Sequence, residues 1–421
     1  MQDAKTLSRR GLLGASMLAG AGTYVGGAAM SAPAIAAPMD ASPLNPLPSA
    51  VRAGELAFAV ADARGSAGTI VGQFDVVGQT ATSLNHLRGA LRGVGLDLDR
   101  VVSLWVILPE FKQIDAVARI INDRWPDPKS APALTFLGNS GLDSGCAVRL
   151  DAIASTSSDR RTISVPDVGL PPGVRVHGVY AGGMAYLSGL SAPDMQGSSA
   201  GDTLYRQVGA VLDRMDIVLR SQKLSLGDVG RTWMFQRDLS PDVRTFYGRA
   251  REERYKGIFD RDKFPANSGI QMPDLGNGVM ISSVAFAGSD KSYVVSDKVR
   301  LSPGSFSQAV RYGDWLHICG VDAYDLKRQL EAPGDLAGQT ERCMEYTRFI
   351  VEAAGGKMEN IVKTTTYIVS GEDRTKFSGS YERYFDKHTG GRTPSSMIMD
   401  VQKLSPGILV EVDSVAFLGR R

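Results

Sequence analysis

The sequence is poor in the residues that build metal and redox sites. It holds three cysteines, Cys146, Cys319 and Cys343, an odd number with no CxxC pair. Its four histidines, His86, His177, His317 and His388, lack metal-pair spacing, so no metal ligand is assigned. No cofactor is expected either. Gly182-Gly183 is not part of a phosphate loop with Lys and Ser/Thr, and Ser140, Ser188 and Ser307 lack a nucleophile-elbow context. Net charge is also scarce, at +2 over 421 residues. Lys5, Arg9 and Arg10 against Asp3 place that excess within residues 1–36. The remainder is formally neutral and has no Lys/Arg cluster, which argues against a nucleic-acid partner.

What is present is ordinary for a globular protein: 43% apolar and 22% charged residues, in a chain long enough for two to four domains. The N-terminus is the exception. Ser8-Arg9-Arg10-Gly11-Leu12-Leu13 opens a stretch without charge from Gly11 to Met39, and Ala34-Ile35-Ala36 closes it with small residues. This resembles a twin-arginine (Tat) export signal covering residues 1–36. An uncleaved membrane anchor is the alternative, since the run is long enough to span. Weak Gly/Ala/Pro insertion energy and the cleavage pattern favour removal, leaving a periplasmic protein with no membrane segment. An oxidising compartment permits a Cys319–Cys343 disulfide. Ordinary cysteine burial makes three small buried thiols the simpler expectation.

One strand is spelled three times. Ala147-Val148-Arg149-Leu150, Gly278-Val279-Met280-Ile281 and Leu409-Val410-Glu411-Val412 follow one another at a spacing of 131 residues. Two further markers keep the same order. One leads into Leu104-Trp105-Val106, Thr232-Trp233-Met234 and Thr365-Thr366-Tyr367; the other is Pro132-Ala133-Leu134, Pro265-Ala266-Asn267 and Pro394-Ser395-Ser396. A period this long is a domain duplication. The expected units are 37–160, 161–290 and 291–421.

The third unit shows its elements best. Strands are expected over Asp314–Val321, Ile361–Val369, Met397–Met399 and Ile408–Leu418. Apolar spacing gives a helix over Asp335–Ala354, stopped by Gly355-Gly356. Phe377, Tyr381, Tyr384 and Phe385 mark a second helix, ended by Gly390-Gly391. The result is an α+β unit, a β-sheet with two helices on one face. The other face must be buried elsewhere, most simply against the other copies, and three copies fit a closed pseudo-trimer.

The third unit also carries Gly304-Ser305-Phe306-Ser307-Gln308, Gly320, Gln339-Thr340, Ile361-Val362-Lys363-Thr364-Thr365, Tyr381-Glu382-Arg383-Tyr384-Phe385 and Leu409-Val410-Glu411-Val412. This series resembles the Rid family, the enamine/imine deaminases. The likeness is fair over the second unit and weak over the first. It implies a chorismate-mutase-like fold, clefts between units, and a whole trimer's worth of domains in one chain, standing alone or in a higher homo-oligomer. In that family an arginine two residues after the proline marker grips the substrate carboxylate. Here those positions are Leu134, Asn267 and Ser396, so the arginine is missing from all three, and Arg392 is the nearest substitute. The family's catalytic carboxylate survives as Glu411, with Met280 and Arg149 at the other two positions. Read without the family, Glu411 is a solvated strand residue; read with it, Glu411 is the catalytic acid/base.

In the second unit, Arg231-Thr232-Trp233, Tyr247, Arg249, Arg251, Tyr255 and Pro265-Ala266-Asn267-Ser268 resemble chorismatases, Rid-fold hydrolases that cleave the pyruvyl ether of chorismate. The arginines suit a carboxylated substrate and the aromatics its ring. Arg249 and Arg251 lie two apart and cannot share a helix face, so at most one lines a cleft. The expected substrate-binding residues are therefore Arg231, Tyr247, Arg251, Asn267, Arg392 and Ser396, with Glu411 catalytic. Three functions remain open: an exported deaminase-like hydrolase of a small carboxylated molecule, a chorismatase-like hydrolase, and a non-catalytic metabolite-binding envelope protein.

Overall fold

The computed structural model describes residues 50–419, except 66–67, 139–141, 143–144, 193–199, 238–240, 261–262, 273, 276–277 and 302–305. The expected export signal and Gly304-Ser305 lie outside the described residues.

The described chain forms three α+β units. The first contains β1 (Ala50–Ala53), β2 (Leu56–Asp62), α1 (Val76–Gly93), β3 (Val101–Leu108), α2 (Ile114–Arg124), β4 (Ala133–Gly138) and β5 (Arg149–Ser155). The second contains β6 (Arg161–Ile163), β7 (Gly178–Ala181), β8 (Met184–Ser191), α3 (Ala200–Arg220), β9 (Val229–Gln236), α4 (Pro241–Tyr255), β10 (Ala266–Gln271) and β11 (Val279–Phe286). The third contains β12 (Lys291–Val294), β13 (Ala309–Tyr312), β14 (Trp315–Val321), α5 (Leu336–Ala353), β15 (Ile361–Val369), α6 (Arg374–Thr389), β16 (Ser395–Val401) and β17 (Val410–Phe417).

The sheets share one topology. The first runs β1-β2-β5-β3-β4, the second β10-β9-β11-β8-β7-β6, and the third β12-β13-β14-β17-β15-β16. In each, the repeated strand lies at the centre, antiparallel to both neighbours, and the strand after the second helix pairs parallel at the edge. β6 and β12 are added edge strands of the second and third sheets.

The local signals act as expected in the third unit. Asp335 occupies the N-cap position of α5 without a side-chain capping bond, Asp373 caps α6 through Thr375 N, and Gly390 closes α6 in the left-handed region at φ 65°. β16 is longer than the apolar Met397–Met399 stretch, because its parallel pairing with β15 begins at Lys363 and Ser395.

The central strands β3, β9, β11 and β17 are buried along their whole length, so both sheet faces are covered. One face takes the helices: α1 packs on β2 and β5, α3 on β8 and β11, and α5 on β14 and β17. The other meets the neighbouring units, with β4 on β8, β10 on β14 and β16 on β2. Trp105 of the first unit stands edge-on to Trp233 and Phe235 of the second, at 5.1 and 5.4 Å. Phe286 of the second stacks on Tyr312 of the third at 4.9 Å.

Polar groups cross the same boundaries. Lys363 Nζ donates to both oxygens of Asp151, at 2.6 and 2.7 Å. Both residues are buried, and burial pushes the Asp151 carboxyl up while Lys363 pulls it down. Replacing Lys363 by Met leaves that carboxylate without its cation, an expected loss of about 3–5 kcal/mol in chemical denaturation. The Lys363→Met/Asp151→Leu pair is expected to recover most of it; a single variant as stable as the parent contradicts this account.

Candidate active site at the boundary of the second and third units

β17 alternates, so its residues divide between two layers. Val410 and Val412 join the core, with Val410 beneath Cys343 of α5, while Glu411 and Asp413 share the opposite face. On β9, Arg231 and Trp233 point to that same inner layer. β10 is an edge strand, and its neighbours Asn267 and Ser268 go to opposite layers.

Asp413 gathers the inner layer. Its Oδ2 accepts from Trp233 Nε1 and Tyr367 OH at 2.9 Å, from Ser268 Oγ at 3.0 Å, and pairs with Arg231 Nη2 at 2.9 Å. Arg231 Nη2 also donates to Ser268 Oγ at 2.6 Å, and its guanidinium lies 4.5 Å from the Trp233 ring centre. Arg231 and Asp413 are only 1% and 2% exposed, so they form a buried ion pair between units.

Glu411 is the more open member at 9% exposure, and this corrects the reading of a solvated strand residue. It sits over a β-bulge in β14, where the pairing slips between Ile318 and Val321. Gly320 occupies the bulge. A Cβ there would fall 1.8 Å from Glu411 Oε1 and 3.0 Å from Ser268 Oγ, so only glycine leaves room for the carboxylate. Burial, partly offset by Arg231 and reinforced by Glu411, pushes Cys319 up to about 12, so it is a thiol and a poor nucleophile. Burial and Arg231 push His317 down to about 3, so it is neutral. Arg300 pairs with Asp322 at 2.5 Å; burial opposes its charge, and Asp322 and, more weakly, Glu411 support it.

The second cluster lies under α4. Arg251 is 1% exposed, donates to Tyr247 OH at 2.8 Å, and lies 5.3 and 5.2 Å from the Tyr247 and Tyr255 ring centres. Asn267 Oδ1 accepts from Thr232 Oγ1 at 2.8 Å, and the Asn267 side chain also bonds Tyr247. Arg251 Nη2 is buried with no acceptor among the described residues. Arg249 instead lies outside, paired with Glu253 at 3.1 Å.

The expected site residues therefore separate. Tyr247, Arg251 and Asn267 come together. Arg231 joins Asp413 beside Glu411. Ser396 faces α6, bonding Thr364 and, at 3.1 Å, Tyr381. Arg392 is exposed and pairs with Glu359 at 2.5 Å, away from both clusters. Ser268, Asp413 and Arg300 were not foreseen; alternation along β17 and comparison of Asp413 with its counterparts Asp151 and Ser282 carried the signal for Asp413. The thiols are free and buried, so the disulfide that an oxidising compartment permits is not formed. His177 is a strand brace, with Nε2 2.7 Å from Val168 O.

The two equivalent positions are filled differently. Met280 lies over Gly189 at a matching bulge, where a Cβ would meet its sulfur at 2.8 Å. Arg149 donates to Ile398 O at 2.8 Å and pairs with Asp62 at 3.2 Å.

The third unit is similar in sequence to known proteins. Residues 298–418 match the family model described as Endoribonuclease L-PSP. A RutC family protein of Pyrococcus horikoshii is 28% identical over 127 residues, 30% of this chain and 98% of that protein. The 2-iminobutanoate/2-iminopropanoate deaminase of Escherichia coli is 27% identical over 123 residues, 29% of this chain and 94% of that protein. A chorismatase crystal structure aligns with a TM-score of 0.51 at 14% identity, over 76% of this chain and 93% of that one, a likeness of fold.

Burial of neutral His317 has a pH signature. The unfolded chain binds its proton below about 6.5, whereas the folded chain waits until about 3. Stability is thus lost as pH falls through this window. His317→Phe, which places in the third unit the side chain that Phe58 supplies in the first, is expected to flatten the stability profile there. An unchanged slope in denaturation curves between pH 4 and about 6.5 contradicts it.

Proposed function

We propose that the chain is a small-molecule hydrolase of the Rid type, with three units in a closed pseudo-threefold ring and one working cleft, between the second and third units. The observation that carries this reading is the fate of one position. Glu411 is retained and the most open of its group, while Met280 and Arg149 occupy the equivalent places. In the proposed chemistry Glu411 takes a proton from water as its oxygen attacks the substrate carbon, then returns it to the leaving nitrogen or oxygen.

The substrate carries a carboxylate. Arg251, buried and bound to Tyr247 beside Asn267, has no acidic partner among the described residues, and its Nη2 has no acceptor among them. It stands in for the family arginine that Leu134, Asn267 and Ser396 do not supply. This favours a substrate held by Arg251 and Tyr247, an imine or the pyruvyl ether of a carboxylated ring, over one held by Arg231, whose charge is paired with Asp413 although its Nη1 also has no acceptor among the described residues. A binding protein without turnover is the second reading, favoured by the missing arginine. The N-terminal pattern supports export through the twin-arginine route to the periplasm.

The test is a coupled assay in which a pyridoxal-phosphate dehydratase generates 2-iminobutanoate and release of the 2-oxo acid is timed with and without the protein. Chorismate-like carboxylates follow if release is not accelerated. On the substrate that is turned over, Glu411→Gln is expected to lower kcat by about 100-fold or more with folding retained. Arg251→Met is expected to raise KM about tenfold or more, the loss of one charge-assisted contact. Full turnover by Glu411→Gln removes Glu411 from the mechanism, and saturable binding without product supports the second reading.

A further inference from the structure

We propose that the Arg231–Asp413 ion pair is a positioning device for Glu411, fixing it across the unit boundary and setting the charge around it. The inference rests on the reading of Glu411 as the acid/base group.

Glu411 and Asp413 are two residues apart on one face of β17, about 6.5–7 Å along the strand. Asp413 is held by donors from β9, β10 and β15, so the strand that bears Glu411 is pinned to the second unit. Arg231 reaches further than its partner. The same Nη2 bonds Ser268, and Ser268 Oγ lies 3.0 Å from the point where a Gly320 Cβ would stand, the point that Glu411 Oε1 approaches to 1.8 Å. A line of contacts therefore runs from Asp413 through Arg231 and Ser268 to the carboxylate's seat.

The equivalent boundaries show what this arginine adds. Lys363 occupies the matching place and spends its bonds on Asp151, its counterpart of Asp413. Lys363 gives both its bonds to one acid, whereas Arg231 Nη2 bonds both Asp413 and Ser268. At the remaining boundary Ser103 and Ser282 stand in these places, without a charge, and Met280 replaces the glutamate. The arginine that reaches both partners and the glutamate occur at the same boundary.

Other titratable groups lie near this pair. Arg300 pairs with Asp322 at 2.5 Å and, more weakly, feels Glu411. Tyr367 is held well above its ordinary range by burial and Asp413. Cys319 and Cys343 are thiols for the same reason of burial, and His317 is neutral.

The test follows the side-chain carboxyl carbon of Glu411 by NMR in the full chain labelled with 13C-glutamate, assigned through Glu411→Gln. Asp413→Asn exposes Glu411 to an unbalanced Arg231 charge, and its titration is expected to move down by about one pH unit. Arg231→Gln leaves Asp413 unbalanced and is expected to move it up by about as much. Arg231→Lys keeps the charge but loses the planar guanidinium that reaches Ser268 as well as Asp413, so the titration stays near the parent while kcat falls. Shifts of the same sign in Asp413→Asn and Arg231→Gln, or no shift, mean a merely structural latch and overturn the proposal. If Arg231→Gln does not fold, the isosteric Asp413→Asn decides alone. Titration needs no substrate, so failure of the acid/base reading, seen as turnover by Glu411→Gln, is separate from failure of the charge coupling.

Discussion

Each sheet of this protein has an inner face with no helix on it, and everything else follows from how that face is covered. The cover is another unit of the same chain. Aromatic side chains of β3, β9 and β14, Trp105, Trp233, Phe235 and Trp315, lie in this layer, and buried ion pairs cross the boundaries at equivalent positions, Arg231 to Asp413 and Lys363 to Asp151. Such pairs add little net stability over apolar replacements, because desolvation offsets their attraction. Their value is in specificity. A cation on one unit must meet the acid on the next, so the order of units and the register between them are set together.

Covalent linkage lets the three boundaries diverge. In a homotrimer a change at one cleft is a change at all three. Here Glu411, Met280 and Arg149 occupy one structural position with an acid, a thioether and a cation, each fitted to its own surroundings. Met280 packs over Gly189, while Arg149 satisfies itself on Asp62 and a backbone carbonyl.

Several polar residues that carried the resemblance in the third unit turn out to be braces. Gln339 spans Gly407 O and Leu409 N, fixing the loop that leads into β17, and Gln79 does the same in the first unit at Gly145 O and Ala147 N. Gln308 holds the segment before β13 through Ser296 and Val299.

By itself, the sequence determined the triplication, the α+β character of each unit, the helix boundaries at Asp335 and Gly390, and the correspondence of Glu411 with Met280 and Arg149. These are local or periodic properties: a two-residue alternation, a helical spacing and a repeat length survive in one dimension. It also marked Arg251 against Arg249, since two residues apart on a helix means opposite exposure. Tertiary structure alone decided partnership. Arg231 looked like an anion holder until Asp413, 182 residues away, was seen to take its charge, and Arg392 looked close to Ser396 until Glu359 held it at the surface. A guanidinium carries the same charge in either role. Which acid reaches it is a matter of distance between segments remote in sequence, and distance exists only in the folded chain.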